Sequence, residues 1–325
     1  MSKKWFFLAL KFLVSGFLIW FLLSNIDFDD ALSRMAKADL SLMALAWGLL
    51  VVQVFIGGFR WGAVLKVIGE PLSFLRVTQI FYFGVFFNQV LPSSVGGDAV
   101  RIYKTYRDGL SLRGAVNGVL LERVAAVLAL VVLILAMLPQ FLMKADPAAK
   151  MVLVPGVAFV SVGAVVGLLV LVMLDRLPEG LRRWRLVRGL GNLGVDARKV
   201  FLVPRSLLTV MFWGLATNVN ISTYAYVLAL SLGLEITWLD CLVLVPSVLL
   251  VMTIPISIAG WGIRETAMVT LFGLIGIAAE GSLALSVLFG LSGICVALPG
   301  GIFWLLSREK GETMDFETPE APPQE

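Results

Sequence analysis

Six stretches of this chain, Trp5–Leu23, Leu40–Val64, Leu112–Leu138, Met151–Leu174, Ser206–Leu232 and Ser282–Leu306, are long and apolar enough to cross a hydrocarbon core of about 30 Å as helices. Inside lipid every backbone N–H and C=O must find its partner within the protein, so runs of this length fold as helices. A hydrophobic content of 59% and a mean hydropathy of +0.94 exclude soluble domains, and the expected fold is an all-α polytopic membrane protein. The first run follows Lys3 and Lys4 as a signal peptide would. It is long, however, and no small-x-small cleavage pattern follows it, so it reads as the first span. With no His in the chain, the common zinc sites and His-based triads are excluded, and no metal or cofactor is expected. Cys241 and Cys295 fall inside apolar runs and read as buried small hydrophobes, not as a disulfide. A net charge of +4 on such a chain implies no nucleic acid.

Lys and Arg in short loops favour the cytoplasmic side and set the orientation. Lys3 and Lys4 lie inside, whereas Asp27, Asp29, Asp30 and Asp39 against Arg34 and Lys37 suit an outside loop. The apolar run Leu72–Leu91 is also long enough to span, but the charges oppose it. If it spanned, Arg101, Lys104, Arg107 and Arg113 would face outward, and so would the loop from Arg176 to Arg205 with its eight Lys or Arg. A re-entrant hairpin that enters from the cytoplasm, turns at Pro92–Gly97 and leaves by the same face removes the conflict. In the basic loop Leu181, Trp184, Val187 and Leu190 recur every three residues, which suits a short helix on the inner leaflet or an ordinary basic loop. After the fifth span, Leu239–Thr253 enters from outside, breaks at Pro255, and Arg264–Ile277 leads back out. The count is six full spans with both termini in the cytoplasmic (inner) membrane's cytoplasmic side, a transmembrane domain over 1–307, and a disordered acidic, proline-bearing tail at 308–325.

The two hairpin tips resemble each other. Pro92-Ser93-Ser94-Val95-Gly96-Gly97-Asp98-Ala99-Val100-Arg101 is echoed by Pro255-Ile256-Ser257-Ile258-Ala259-Gly260-Trp261-Gly262-Ile263-Arg264, 163 residues later. Each reads as a helix broken by Pro, a tip of small residues, and a new helix whose bare N–H groups point inward. One hairpin opens to the cytoplasm and the other outward, so the repeats, about 40–175 and 206–307, are inverted. Repeated broken helices of this kind meet near the bilayer midplane and mark transporter substrate sites.

Charges also stand where apolar sequence surrounds them: Asp98 and Arg101, Glu122 and Arg123, Arg264 and Glu265. Glu122 lies ten residues into its span, roughly 15 Å deep at about 1.5 Å per residue. Ionisable groups there cost at least ~2.5 kcal/mol each unless paired or wet, so they are either substrate contacts or mutual locks. A pair between Arg123 or Arg101 and Glu265 of the other repeat is expected. Arg60, nearer its helix end, is read as snorkelling to the surface. Helix N-termini, small residues, the Ser93, Ser94 and Ser257 hydroxyls and a nearby Arg suit a phosphate or another anion, although Asp98 as a cap would compete with one.

Phe87-Asn88-Gln89-Val90-Leu91-Pro92-Ser93-Ser94-Val95-Gly96-Gly97-Asp98-Ala99-Val100-Arg101, Leu121-Glu122-Arg123-Val124 and Gly260-Trp261-Gly262-Ile263-Arg264-Glu265 resemble the signature of the lysylphosphatidylglycerol synthase transmembrane-region family, also described as flippase-like. The resemblance runs from the first span to about Leu306. It implies a lipid flippase whose site draws on Asn88, the Pro92–Asp98 tip, Arg101, Glu122, Arg123, Pro255, Ser257, Gly260, Trp261, Arg264 and Glu265. In bifunctional members a soluble C-terminal domain makes the aminoacylated lipid that this region moves. Here the chain ends nineteen residues after Leu306, so lysyltransferase activity is not expected. Short relatives are linked to phospholipid, polyprenyl-linked or hopanoid lipids. Two other functions stay open: a membrane-embedded transferase with Asp98 or Glu122 as base, and a scaffold that holds a separate lipid synthase through the basic loop.

Overall fold

The computed structural model describes residues 20, 22, 24, 26–91, 96–144, 146–176, 185–253 and 260–307. These form eleven α-helices and no strand. The run Trp5–Leu23, the tail 308–325, and both tip prolines with Ser93, Ser94 and Ser257 lie almost wholly outside them, as do Leu181 and Trp184.

In order, α1 is Phe28–Ala36, α2 Leu40–Ile68, α3 Phe74–Val90, α4 Gly96–Arg107, α5 Leu112–Lys144 and α6 Pro147–Met173. After a 3-10 turn at Leu174–Arg176 come α7 Arg185–Phe201, α8 Pro204–Ser231, α9 Trp238–Met252, α10 Ile263–Gly273 and α11 Ala279–Leu306. Four helices, α2, α5, α6 and α11, are long and apolar enough to cross a membrane. The more polar α8 makes a fifth when taken with α7, from which it bends by 84°. Local chemistry explains the ends. Asp27 caps α1 and Asp39 caps α2 by accepting backbone N–H bonds, and Gly69 ends α2 in the left-handed conformation. Pro204 at the first turn of α8 needs no N–H and lets the chain turn there.

The segment Phe74–Arg107 is a helical hairpin. Arg76 at the start of α3 binds Asp108 just past α4 through Nε and Nη2 at 2.5 and 2.7 Å, so both ends lie on one side. At the far end Gly97 N–H donates to Asn88 Oδ1 at 2.9 Å. α9 and α10 also pack against each other across their break.

A regularity governs how the helices meet. Exchange α2, α3, α4 and α5 for α8, α9, α10 and α11, and every packing contact among them becomes another that is present. α2–α3 becomes α8–α9, α4–α5 becomes α10–α11, and α3–α11 becomes α9–α5. Likewise α2–α5 becomes α8–α11, α5–α8 becomes α11–α2, and α2–α8 maps onto itself. This is the pattern of contacts that a two-fold relation through the α2–α8 contact would give.

α7 takes in Val187 and Leu190 of the stretch read as a short helix or a basic loop, whereas Leu181 and Trp184 lie outside the described residues. One face buries Asp196, Ala197, Val200 and Phe201, and the other exposes Leu190 and Val195. Asp196 is bound by Arg113 Nη2 at 3.0 Å, Asn117 Nδ2 at 2.8 Å and Lys199 Nζ at 3.0 Å, which fixes α7 to the start of α5. α6 is held differently: it packs against α5, α7 and the 3-10 turn, and only 6% of its span is buried. Of the two cysteines, both free, Cys241 is buried as expected, but Cys295 on α11 is exposed.

Candidate functional site

The second arm of the first hairpin, α4, packs against α3 and α5, and side chains from α2, α4 and α5 bring five charges together. Arg101 on α4 donates from Nη1 and Nη2 to Glu122 Oε2 on α5, both at 3.1 Å, and from Nη1 to Asp98 Oδ1 at 3.2 Å. Arg60 on α2 binds the other oxygen of Glu122, and Arg123 on α5 binds the other oxygen of Asp98. The ion pairs form one alternating line, Arg60–Glu122–Arg101–Asp98–Arg123. The Arg101 guanidinium lies 4.2 Å from the centroid of the Trp61 ring and 5.1 Å from that of Phe81, so its faces are covered by aromatic surface. Asp98, Arg101 and Glu122 are all buried.

This line opens onto a cavity of about 1030 Å³ between α5 and α6, with α9 and α10 at its back. Arg60, Glu122 and Arg123 line one end, and Val127, Val160 and Leu250 represent walls that are apolar nearly throughout. The lining continues along α5 to Ile134, twelve residues beyond Glu122 and roughly 18 Å away at about 1.5 Å per residue. The charged end is therefore the end nearer α7. Among the described residues three buried N–H donors, Arg60 Nε, Trp61 Nε1 and Arg101 Nε, have no hydrogen-bond partner, and of these residues Arg60 lines the cavity while Trp61 and Arg101 lie behind it. Among the described residues no group of three His, Cys, Asp or Glu could hold a metal ion.

The second hairpin forms a separate and closed cluster. Glu265 Oε1 accepts from Arg264 Nη2 at 2.5 Å and from the Ser286 hydroxyl at 3.2 Å, while its Oε2 accepts the Gly262 N–H at 2.5 Å and so caps α10. Arg264 also donates to Ser286 and lies over the Trp261 ring at 4.6 Å. Gly290 on α11 presses directly on its guanidinium, and neither charge lines the large cavity. Each cluster joins a hairpin's outgoing arm to the span that follows it.

Three expectations change here. Among the described residues the ion pairs stay within each repeat: Arg123 and Arg101 bind Asp98 and Glu122, and Glu265 binds its neighbour Arg264, because each hairpin arm finds carboxylate or guanidinium partners on itself or on its own next span. Arg60 does not snorkel but reaches Glu122, since the carboxylate lies at the same depth one helix away. Asp98 does not act as a simple cap, being taken by two arginines. The tip glycines have structural reasons as well. A Cβ at Gly97 would collide with the Gly84 carbonyl and lie 2.7 Å from the Asn88 side chain, and one at Gly96 would lie 2.5 Å from Leu91. Gly260 takes φ +82°, where a side chain is strained. Arg60 and Trp61 are the additions that sequence reasoning missed. The available signal was an Arg eight residues inside the helix end, six before the terminal Lys66.

Two curated relatives align with part of this chain. A UPF0104 membrane protein of Pyrococcus horikoshii is 26% identical over 101 residues, 31% of this chain and 29% of the relative. One of Methanothermobacter thermautotrophicus is 25% identical over 96 residues, 30% of this chain and 27% of the relative. The matches thus span less than a third of either relative's length. Far more of the chain, residues 8–300 with both hairpins and every charge just described, matches the family described as the lysylphosphatidylglycerol synthase TM region, and the chain belongs to that family.

Proposed function

We propose that the protein moves an anionic lipid between leaflets of the cytoplasmic membrane, holding the head group at the Arg60–Glu122–Arg123 end of the cavity and the tails along α5 and α6. The observation that carries this reading is the cavity itself. It is apolar along a length suited to hydrocarbon, lies beside a helix that is almost wholly exposed, and ends in buried charge. Ionisable side chains at such depth are costly and are kept chiefly where they serve a path or a lock. The pairwise exchange of contacts adds support, because hairpins related in this way present equivalent arms from opposite faces, as alternating access requires. The basic α7 side is taken as cytoplasmic.

Asp98 and Glu122 are each engaged by two arginines, which disfavours either as the base of a membrane-embedded transferase. Purified protein in liposomes with head-labelled phosphatidylglycerol tests the proposal. Exchange of label between leaflets above protein-free controls is expected. Chemical turnover without exchange points to a transferase, and neither outcome points to a scaffold for a separate synthase; both overturn translocation.

A further inference from the structure

We propose that α7 is an interfacial helix that gathers anionic lipid of the inner leaflet beside the cavity. The proposal goes beyond translocation and does not require it. Its grounds are the direction of α7, the division of its surface and the charge along it.

α7 is bent by 84° from α8. With α8 crossing the bilayer, α7 therefore runs close to the membrane plane. Placed at about 3.6 residues per turn, its surface has three sectors. Leu193, Ala197, Val200 and Phe201 belong to one apolar core with residues of α2 and α5. Leu190, Val195 and, one residue past the helix, Leu202 continue from one edge of that sector and are exposed. Arg188, Asn192 and Lys199 hold the remaining sector, with Arg188 and Lys199 exposed. An exposed apolar strip beside a polar one suits a helix lying in the head-group region. Charge then decides which lipid it meets. The chain from Arg176 to Arg205 carries eight Lys or Arg against Glu179 and Asp196, and Arg176 and Arg205 are exposed as well. Basic side chains at head-group depth favour anionic over zwitterionic lipid. The place is fixed by two ties. Asp196 accepts from Arg113 and Asn117 of α5, while Arg198 donates to Val172 O at 2.8 Å and pairs with Asp175 at 3.0 Å at the end of α6. α7 is thus held to both helices that flank the cavity, on the side where the cavity's charges lie.

The experiment places a fluorophore on Leu202→Cys or Asn192→Cys of the full-length protein, in a Cys295→Ala background because Cys295 is exposed and Cys241 is buried. The labelled protein is reconstituted in phosphatidylcholine liposomes that contain a minor share of phosphatidylglycerol, with bromine on the acyl chains of one lipid or the other. The dye at 202 should be quenched by brominated lipid and the dye at 192 by aqueous iodide. Brominated phosphatidylglycerol should quench at 202 several times more effectively than the same amount of brominated phosphatidylcholine, since each basic side chain at such a surface is worth roughly fivefold. High salt should erase the difference. Arg188→Gln with Arg205→Gln should bring the two lipids close to parity while quenching by phosphatidylcholine persists, which also shows that the protein remains folded in the membrane. Equal quenching by both lipids before any arginine is replaced overturns the proposal. So does quenching at 202 by iodide alone, because the apolar strip then faces the cytosol and suits a protein partner instead. A preference that survives both substitutions overturns it too, since the selectivity then lies elsewhere. Preference without leaflet exchange removes translocation alone, and exchange without preference removes the role of α7 alone.

Discussion

Gly97 stands where α4 passes closest to α3, against the Gly84 carbonyl and under the Asn88 side chain that takes its N–H. A methyl group there must push two helices apart, and overpacking of this kind costs about 1–3 kcal/mol. Gly97→Ala should therefore lower the melting temperature in detergent and the yield in membranes, with lipid exchange falling in proportion. Exchange lost at unchanged melting would instead make Gly97 a head-group contact. The tip glycines were legible in the sequence as special, but their reason was not, because close approach depends on which helix lies opposite. The same limit applies to Arg60. Position along one helix suggested an escape to the surface, and only the neighbouring helix reveals Glu122 at matching depth. Trp61 has a counterpart that composition hides: Tyr224 follows it by 163 residues, the interval that separates Arg101 from Arg264. Both aromatics are fully buried on the first span of their halves.

The helical elements were far more legible than the contacts, since length, apolar runs and breaks are local properties. Expected spans such as Leu40–Val64 and Ser282–Leu306 correspond to α2 and α11 with ends shifted by a few residues. Charge bookkeeping argued against a crossing at Leu72–Leu91, and α3 is tied back to the end of α4 by Arg76 and Asp108. What this arrangement does in a bilayer is testable with single cysteines. Gly109→Cys, in the exposed turn after α4, and Arg188→Cys on α7 should react with an impermeant thiol reagent from the same face. Glu235→Cys, between α8 and α9, should react from the opposite face. These sites avoid the ion pairs that hold the hairpin. Labelling of Gly109→Cys together with Glu235→Cys would mean that α3 and α4 between them cross the membrane.

Across the whole molecule, eight helices interlock through contacts that repeat on exchange, whereas α6 stands apart against α5 and α7 with most of its surface bare. A helix of 27 residues is roughly 40 Å long at about 1.5 Å per residue, against a hydrocarbon core of about 30 Å. The mismatch must be absorbed by tilt or by local thickening of the lipid, and little protein packing opposes tilt in α6. Its angle, and with it the width of the space between α5 and α6, is thus left to the surrounding membrane. The wall of the cavity becomes a gauge of bilayer thickness. Exchange measured in liposomes of increasing acyl-chain length should vary severalfold, with the melting temperature of the interlocked helices changing far less. Equal rates across all thicknesses would mean that α6 is held upright by something other than its own short list of neighbours. If the dependence is found, membrane composition acts on this protein as a mechanical effector, with no regulatory site required.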